Sequence, residues 1–121
     1  VYAGLFNVAG TGDFVRSHPA TVRKVLRALI AGARFCRDEP DAARALFTTV
    51  SASEAARLQA AWHGYRFGIV LGQGLLLALE DEARWAIKNR LAERGDMPNF
   101  LDAVYLDGLE AVAPSAVTVI H

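Results

Sequence analysis

From Val22 onward the apolar residues fall at Val22, Val25, Leu26, Leu29, Ile30, Ala33 and Cys36. Steps of three and four line one face of an α-helix, and Arg23, Lys24, Arg27, Arg34 and Arg37 take the other face. Pro19 suits the first turn, where a missing N–H costs nothing, with Ser17 or His18 placed to cap it. Pro40 imposes a break, because its ring cannot be accommodated in a helix interior. Asp38 or Glu39 then caps a second, shorter helix that carries Ala42, Ala43, Leu46 and Phe47. The pattern predicts a long helix, a proline-marked corner and a short helix.

On the N-terminal side, Val1 to Val8 reads as a strand that ends in the loop Ala9-Gly10-Thr11-Gly12, with Asp13 near a helix N-terminus. The spacing of Gly4, Gly10 and Gly12 fits neither the dinucleotide fingerprint nor the phosphate loop, and no lysine follows. On the other side, Ser51 and Glu54 form a capping box for a helix with Ala55, Leu58, Trp62 and Tyr65 on one stripe. Glu54, Arg57 and Gln59 face water. Tyr65 to Leu71 is a short strand with Phe67, Ile69 and Leu71 on one face.

Gly72-Gln73-Gly74 opens a helix over Leu75 to Arg94, with Leu75, Leu76, Leu79, Ala83, Ala86 and Ile87 as its apolar face. Its charges run from Glu80, Asp81 and Glu82 to Arg84, Lys88, Arg90 and Arg94, which suits the helix dipole and describes a solvated face. Trp85 is expected to flank the core, and Gly95 to serve as the residue that ends the helix. A turn at Phe100 and Leu101 follows, then a helix over Ala103 to Val112 with Val104, Leu106, Leu109 and Val112 available for burial. Pro114 ends it, and Ala116 to Ile120 is a β-branched terminal strand. The expected fold class is mainly α with two or three short β-strands, in a single domain over residues 1–121.

Composition narrows the chemistry. Lys+Arg equals Asp+Glu at 13 each, and a domain built to hold a polyanion is clearly basic, so no nucleic acid is expected as a partner. Zero net charge gives little colloidal repulsion, and self-association is expected. The one cysteine, Cys36, excludes an intrachain disulfide and is expected to be a buried, inert thiol. His18, His63 and His121 lie far apart without acidic partners at ligand spacing, so neither a metal nor any other cofactor is expected. Ser51 and Ser53 sit in a cap rather than on a nucleophile elbow, and consecutive Glu80, Asp81 and Glu82 point around a helix. No catalytic residue is assigned, and the chain is not expected to be an enzyme. Val1 to Phe6 reads as the middle of a strand, and the chain is expected to be a piece of a longer protein.

Several of these segments, in this order, resemble the solute-binding proteins of ABC importers. They are His18-Pro19, the Val25-Leu26-Arg27-Ala28-Leu29 core, Ala33-Arg34-Phe35 and the Glu39-Pro40-Asp41-Ala42-Ala43 corner. Leu79 to Ile87, Pro98-Asn99-Phe100, Tyr105 to Leu109 and Val117 to Ile120 continue the likeness. The chain is similar to the C-terminal portion of the nitrate, sulfonate, taurine and thiamine-precursor branch.

The resemblance implies part of one lobe of a type II periplasmic-binding-protein-like α/β fold, with the short strands as edge pieces of a mixed sheet. It implies a non-catalytic protein that binds a small solute (sulfonate, nitrate or thiamine-precursor type), a permease in the membrane as partner, and a periplasmic or extracytoplasmic address. Clefts of this kind combine aromatic walls with a few aimed polar groups. On that basis Asn7 and Thr11, at the end of the first strand, and Tyr65, before the second, are expected to contact ligand. Core packing is the competing reading for Trp62, Tyr65, Phe67 and Trp85. The alternative function is a small helical protein-interaction or sensor domain unrelated to transport. More distant still is an enzyme sharing the fold, which would need a catalytic His or Cys.

Overall fold

The computed structural model describes residues 4–50, 54–92, 95 and 97–120, and of Val50 the backbone only. The protein is mainly helical, with two short strands that pair in parallel. It divides into two compact units, Lys24–Ile69 and the pair of segments Val1–Arg23 and Val70–His121.

Helix α2 (Pro19–Asp38) and helix α3 (Pro40–Val50) form around the proline corner as the sequence predicts. Glu39 is the joint. Its N–H donates to the Phe35 carbonyl and its carbonyl accepts from Ala43 N, both at 2.9 Å, so one residue completes both helices. The expected apolar face of α2 is half-buried, except for exposed Val25, and no residue of the helix is fully buried. Within Lys24–Ile69, α3 packs on helix α4 (Ala55–Ala61), which passes into a 3₁₀ turn at Trp62–Gly64. Ala43 and Trp62 are the buried apolar residues here, at 1% and 5% exposure. The Trp62 indole meets Phe47 edge-on at 6.0 Å and Phe67 at 4.8 Å.

In the other unit, helix α1 (Gly12–Ser17) is capped by Thr11, whose hydroxyl accepts from Phe14 N at 3.3 Å. Strand β1 (Leu71–Gly72) pairs in parallel with strand β2 (Val117–Thr118), Leu71 opposite Val117 and Gly72 opposite Thr118. The approach is close: a Cβ on Gly72 would stand 3.2 Å from Thr118 Oγ1, so a larger residue would oblige that side chain to shift. Helix α5 (Gln73–Lys88) leaves β1 directly and buries Leu76, with Leu75, Leu79, Ala83, Ala86 and Ile87 half-buried as expected. Helix α6 (Leu106–Glu110) supplies Leu109, 2% exposed, and Val119 completes this core beyond β2. The Gln73 side chain accepts from Ile120 N at 3.3 Å and ties the start of α5 to the residues after β2.

Several expectations are corrected. Gly4–Val8 forms no strand and is exposed, Phe6 to 90%, because a strand needs a ladder partner and none of the described residues offers one; Val1–Ala3 lie outside the described residues. The strand expected over Tyr65–Leu71 pairs only at Leu71–Gly72, although half-burial still alternates at Phe67, Ile69 and Leu71. Tyr65 itself leaves the helical stripe, since its extended backbone (φ −83°, ψ 138°) terminates the 3₁₀ turn. Helix α5 stops at Lys88 rather than Arg94. Leu91 N bonds to the Ala86 carbonyl and Arg90 N to the Ile87 carbonyl, a Schellman closure with Arg90 at φ 60° where glycine was expected at Gly95. Trp85 is 59% exposed and does not flank the core. The helix expected over Ala103–Val112 divides into a 3₁₀ turn at Phe100–Ala103 and α6, because Val104 and Tyr105 are extended. Ser51 of the expected capping box lies outside the described residues, and Glu54 makes no side-chain cap.

Candidate functional site

The Lys24–Ile69 unit contains an open groove of about 550 Å³. One side is the last turn of α2 and the first turns of α3, which supply Cys36, Arg37, Pro40 and Arg44. The other is the returning segment, with Trp62, His63, Tyr65, Arg66 and Phe67. The proline corner creates the first side, because breaking the helix at Glu39 turns Arg37 and Arg44 toward one space. A hydrogen bond holds the second side to the first: Arg37 Nη1 donates to the Phe67 carbonyl at 2.7 Å.

The aromatic rings lie in sequence along the groove. Trp62 is the buried member, Phe67 follows at 4.8 Å, and Tyr65 stands 5.9 Å from Phe67 with a 33° tilt and 44% exposure. The Arg44 guanidinium sits 5.6 Å from the centre of the Trp62 ring, a cation–π distance, and also pairs with Asp41. Arg66 is exposed and has no side-chain partner among the described residues. Three guanidiniums therefore meet at a groove whose lining contains no carboxylate. Cys36, expected to be buried, is half-buried because the groove opens beside it; His63 also lines the groove, and no hydrogen bond joins the two. Among the described residues no cluster of His, Cys, Asp or Glu is placed to hold a metal ion.

Of the residues expected to contact ligand, Tyr65 lines this groove. Thr11 spends its hydroxyl on the α1 cap and Asn7 is exposed; both belong to the other unit. Sequence reasoning missed the arginines as a group. The helical pattern puts Arg37 on the face opposite the apolar one, and nothing in a linear pattern shows that it lines one groove with Arg44 and Arg66. Comparison with models of protein families, with curated proteins and with solved structures finds no match.

Proposed function

We propose that this chain is part of one lobe of a solute-binding component of an ABC importer, a protein that holds a small solute and performs no chemistry. The observation that carries the reading is the parallel β1–β2 ladder. Parallel sheets occur buried under helices and broader than two short strands. A two-stranded parallel ladder followed directly by a helix therefore supports a margin of a larger α/β sheet. The sequence likeness to the nitrate, sulfonate and thiamine-precursor branch supplies the rest. In this reading two lobes close on the solute, since a ligand that touches both favours the closed state. The loaded protein then docks on a membrane permease, which places it outside the inner membrane.

Two measurements test this. The coding sequence flanking the segment should contain a second lobe of alternating strands and helices behind an export signal. Isothermal titration of this chain alone with sulfonates, nitrate and pyrimidine precursors should show weak binding or none, because half of the contacts are missing; micromolar affinity contradicts the reading. Uncovered sheet edges also favour association between copies. Light scattering should find a dimer or larger species, and a clean monomer at high concentration counts against it.

A second reading, a helical interaction or sensor domain, is favoured by Leu77 and Trp85, which leave α5 with 54% and 59% exposure among its apolar residues. A regulatory module in the flanking coding sequence, in place of a second lobe, selects it.

A further inference from the structure

We infer that the solvent side of α2 docks on an anionic membrane surface. The residues that carry the inference, Lys24 to Phe35, lie on one helix of the Lys24–Ile69 unit, so it does not rest on the transport reading and needs neither solute nor second lobe.

Charge gives the first half. The chain as a whole is neutral, yet α2 holds Arg23, Lys24, Arg27, Arg34 and Arg37 against one acidic residue, Asp38, in its last position. The ion pairs among the described residues use Arg16, Arg44, Arg57 and Arg84, and none draws on α2. At the corner end of the helix the charges nearly cancel. Arg37 is engaged with the Phe67 carbonyl, exposed Asp38 and Glu39 follow it, and Asp41 pairs with Arg44. Further up the helix nothing cancels them. No carboxylate stands between Lys24 and Arg34, and Lys24, Arg27 and Arg34 are exposed without an acidic partner among the described residues.

Geometry gives the second half. At 3.6 residues per turn, Lys24, Arg27, Ala31 and Arg34 form one row along α2, and Val25, Ala28, Gly32 and Phe35 form the row beside it. Both rows are exposed, Val25 to 46% and Phe35 to 39%. The half-buried face of Val22, Leu26, Leu29 and Ala33 is a separate row, so α2 carries a second apolar row outside the one that the chain covers. Only Ala28, Ala31 and Gly32 stand in the middle of the exposed face. Nothing projects there, and a broad, flat partner reaches the long side chains at both ends. A bilayer is flat and offers both chemistries: Val25 and Phe35 enter the headgroup boundary while the basic stems reach lipid phosphates. A soluble polyanion leaves the apolar row uncovered, and a zwitterionic bilayer leaves the cations unpaired. The helix lies on the surface, since no helix of the described residues is long and apolar enough to cross a membrane.

The test is co-sedimentation of the 121-residue chain with vesicles of phosphatidylcholine alone and of phosphatidylcholine with about a third phosphatidylglycerol. Each basic residue near an anionic surface strengthens binding about fivefold, so the three cations should favour the anionic vesicles by at least about tenfold. Raising the salt from about 0.05 M to about 0.5 M should release most of the bound chain. Arg27→Gln combined with Arg34→Gln should lower partitioning about tenfold, with helicity unchanged because both side chains are exposed. Ala28→Leu adds apolar surface to the exposed row and should raise partitioning about threefold. Arg57→Gln combined with Arg66→Gln removes the same charge from exposed positions off α2 and should change partitioning by less than about twofold.

The inference is overturned if neither vesicle binds the chain or both bind it alike. It is overturned equally if the Arg57 and Arg66 variant loses as much as the Arg27 and Arg34 variant, or if Ala28→Leu does not strengthen binding. Poly-glutamate that strips the chain from anionic vesicles at equal charge would assign the face to an acidic protein instead. None of these outcomes bears on the flanking coding sequence or the solute titration, so the transport reading stands or falls separately.

Discussion

Replacing Trp62 with alanine removes the largest buried side chain of the Lys24–Ile69 unit. The residue is 5% exposed, and its indole contacts Phe47, Phe67 and the Arg44 guanidinium. An aromatic side chain buries about 150–250 Å², which at about 25 cal/mol per Å² corresponds to roughly 4–6 kcal/mol. That area is measured against an extended chain, and a more compact unfolded state lowers the figure to about 3–5 kcal/mol, in line with tryptophan-to-alanine truncations in cores. A unit this short draws no more than about 3–5 kcal/mol from a single core, so the substitution should consume all of it. Urea unfolding followed by ellipticity at 222 nm, with amide exchange in α3 as the local probe, should show α3 unprotected without denaturant. Trp62→Phe should retain most of the protection. Trp85→Ala, at a 59% exposed position, should change stability by no more than about 0.5 kcal/mol. A loss below about 1 kcal/mol in Trp62→Ala would falsify the account of this core.

In the other unit, Leu109→Ala should cost about 2–5 kcal/mol, since Leu109 is 2% exposed, and urea midpoints read the loss directly. Arg37→Met keeps the aliphatic stem but deletes the bond to the Phe67 carbonyl. The bond is solvent-exposed, so the expected cost is about 1 kcal/mol, seen as faster exchange of the Tyr65–Phe67 amides; exchange at the parent rate counts against the latch. Arg90→Gly should stabilise the chain by about 0.5–1 kcal/mol, because Arg90 occupies φ 60°, where a Cβ is penalised; a lower melting temperature contradicts it.

Periodicity made the helices legible. The α2 face, the Pro40 corner and the α5 face follow from steps of three and four with a proline between, and the structure has each of them, with Val25 of the α2 face exposed. The strands were less legible because pairing is a nonlocal property. Gly4–Val8 has strand composition and no partner among the described residues, whereas Leu71 and Gly72 pair only because Val117 and Thr118 come back to them. The end of α5 was misplaced for a related reason: Gly95 carried the local signal, but the carbonyls of Ala86 and Ile87 were satisfied earlier by amides that put a left-handed arginine at the cap. Tyr65 was singled out by residue type. Its neighbours in the groove could not be, since Arg37 and Arg66 are far apart in sequence and line the same groove only because the Tyr65–Phe67 segment returns to the end of α2.

The ladder also bears on the two proposed readings of function. A helical interaction module has no use for a parallel pair, which is weaker per residue than an antiparallel one and requires a long crossover to form. Here the pair is held with some care: Gly72 admits Thr118 at close range, and Gln73 takes the Ile120 N–H just beyond β2. Yet the residues that bracket the ladder, Val70 and Ile120, are 67% and 83% exposed. Both are β-branched, the residue type that strands bury against neighbours. A third strand or a covering layer would remove that exposure, and a lone helical domain would not. The exposure of Val70 and Ile120 thus favours a sheet that continues past these two strands, which is the feature the proposed lobe requires.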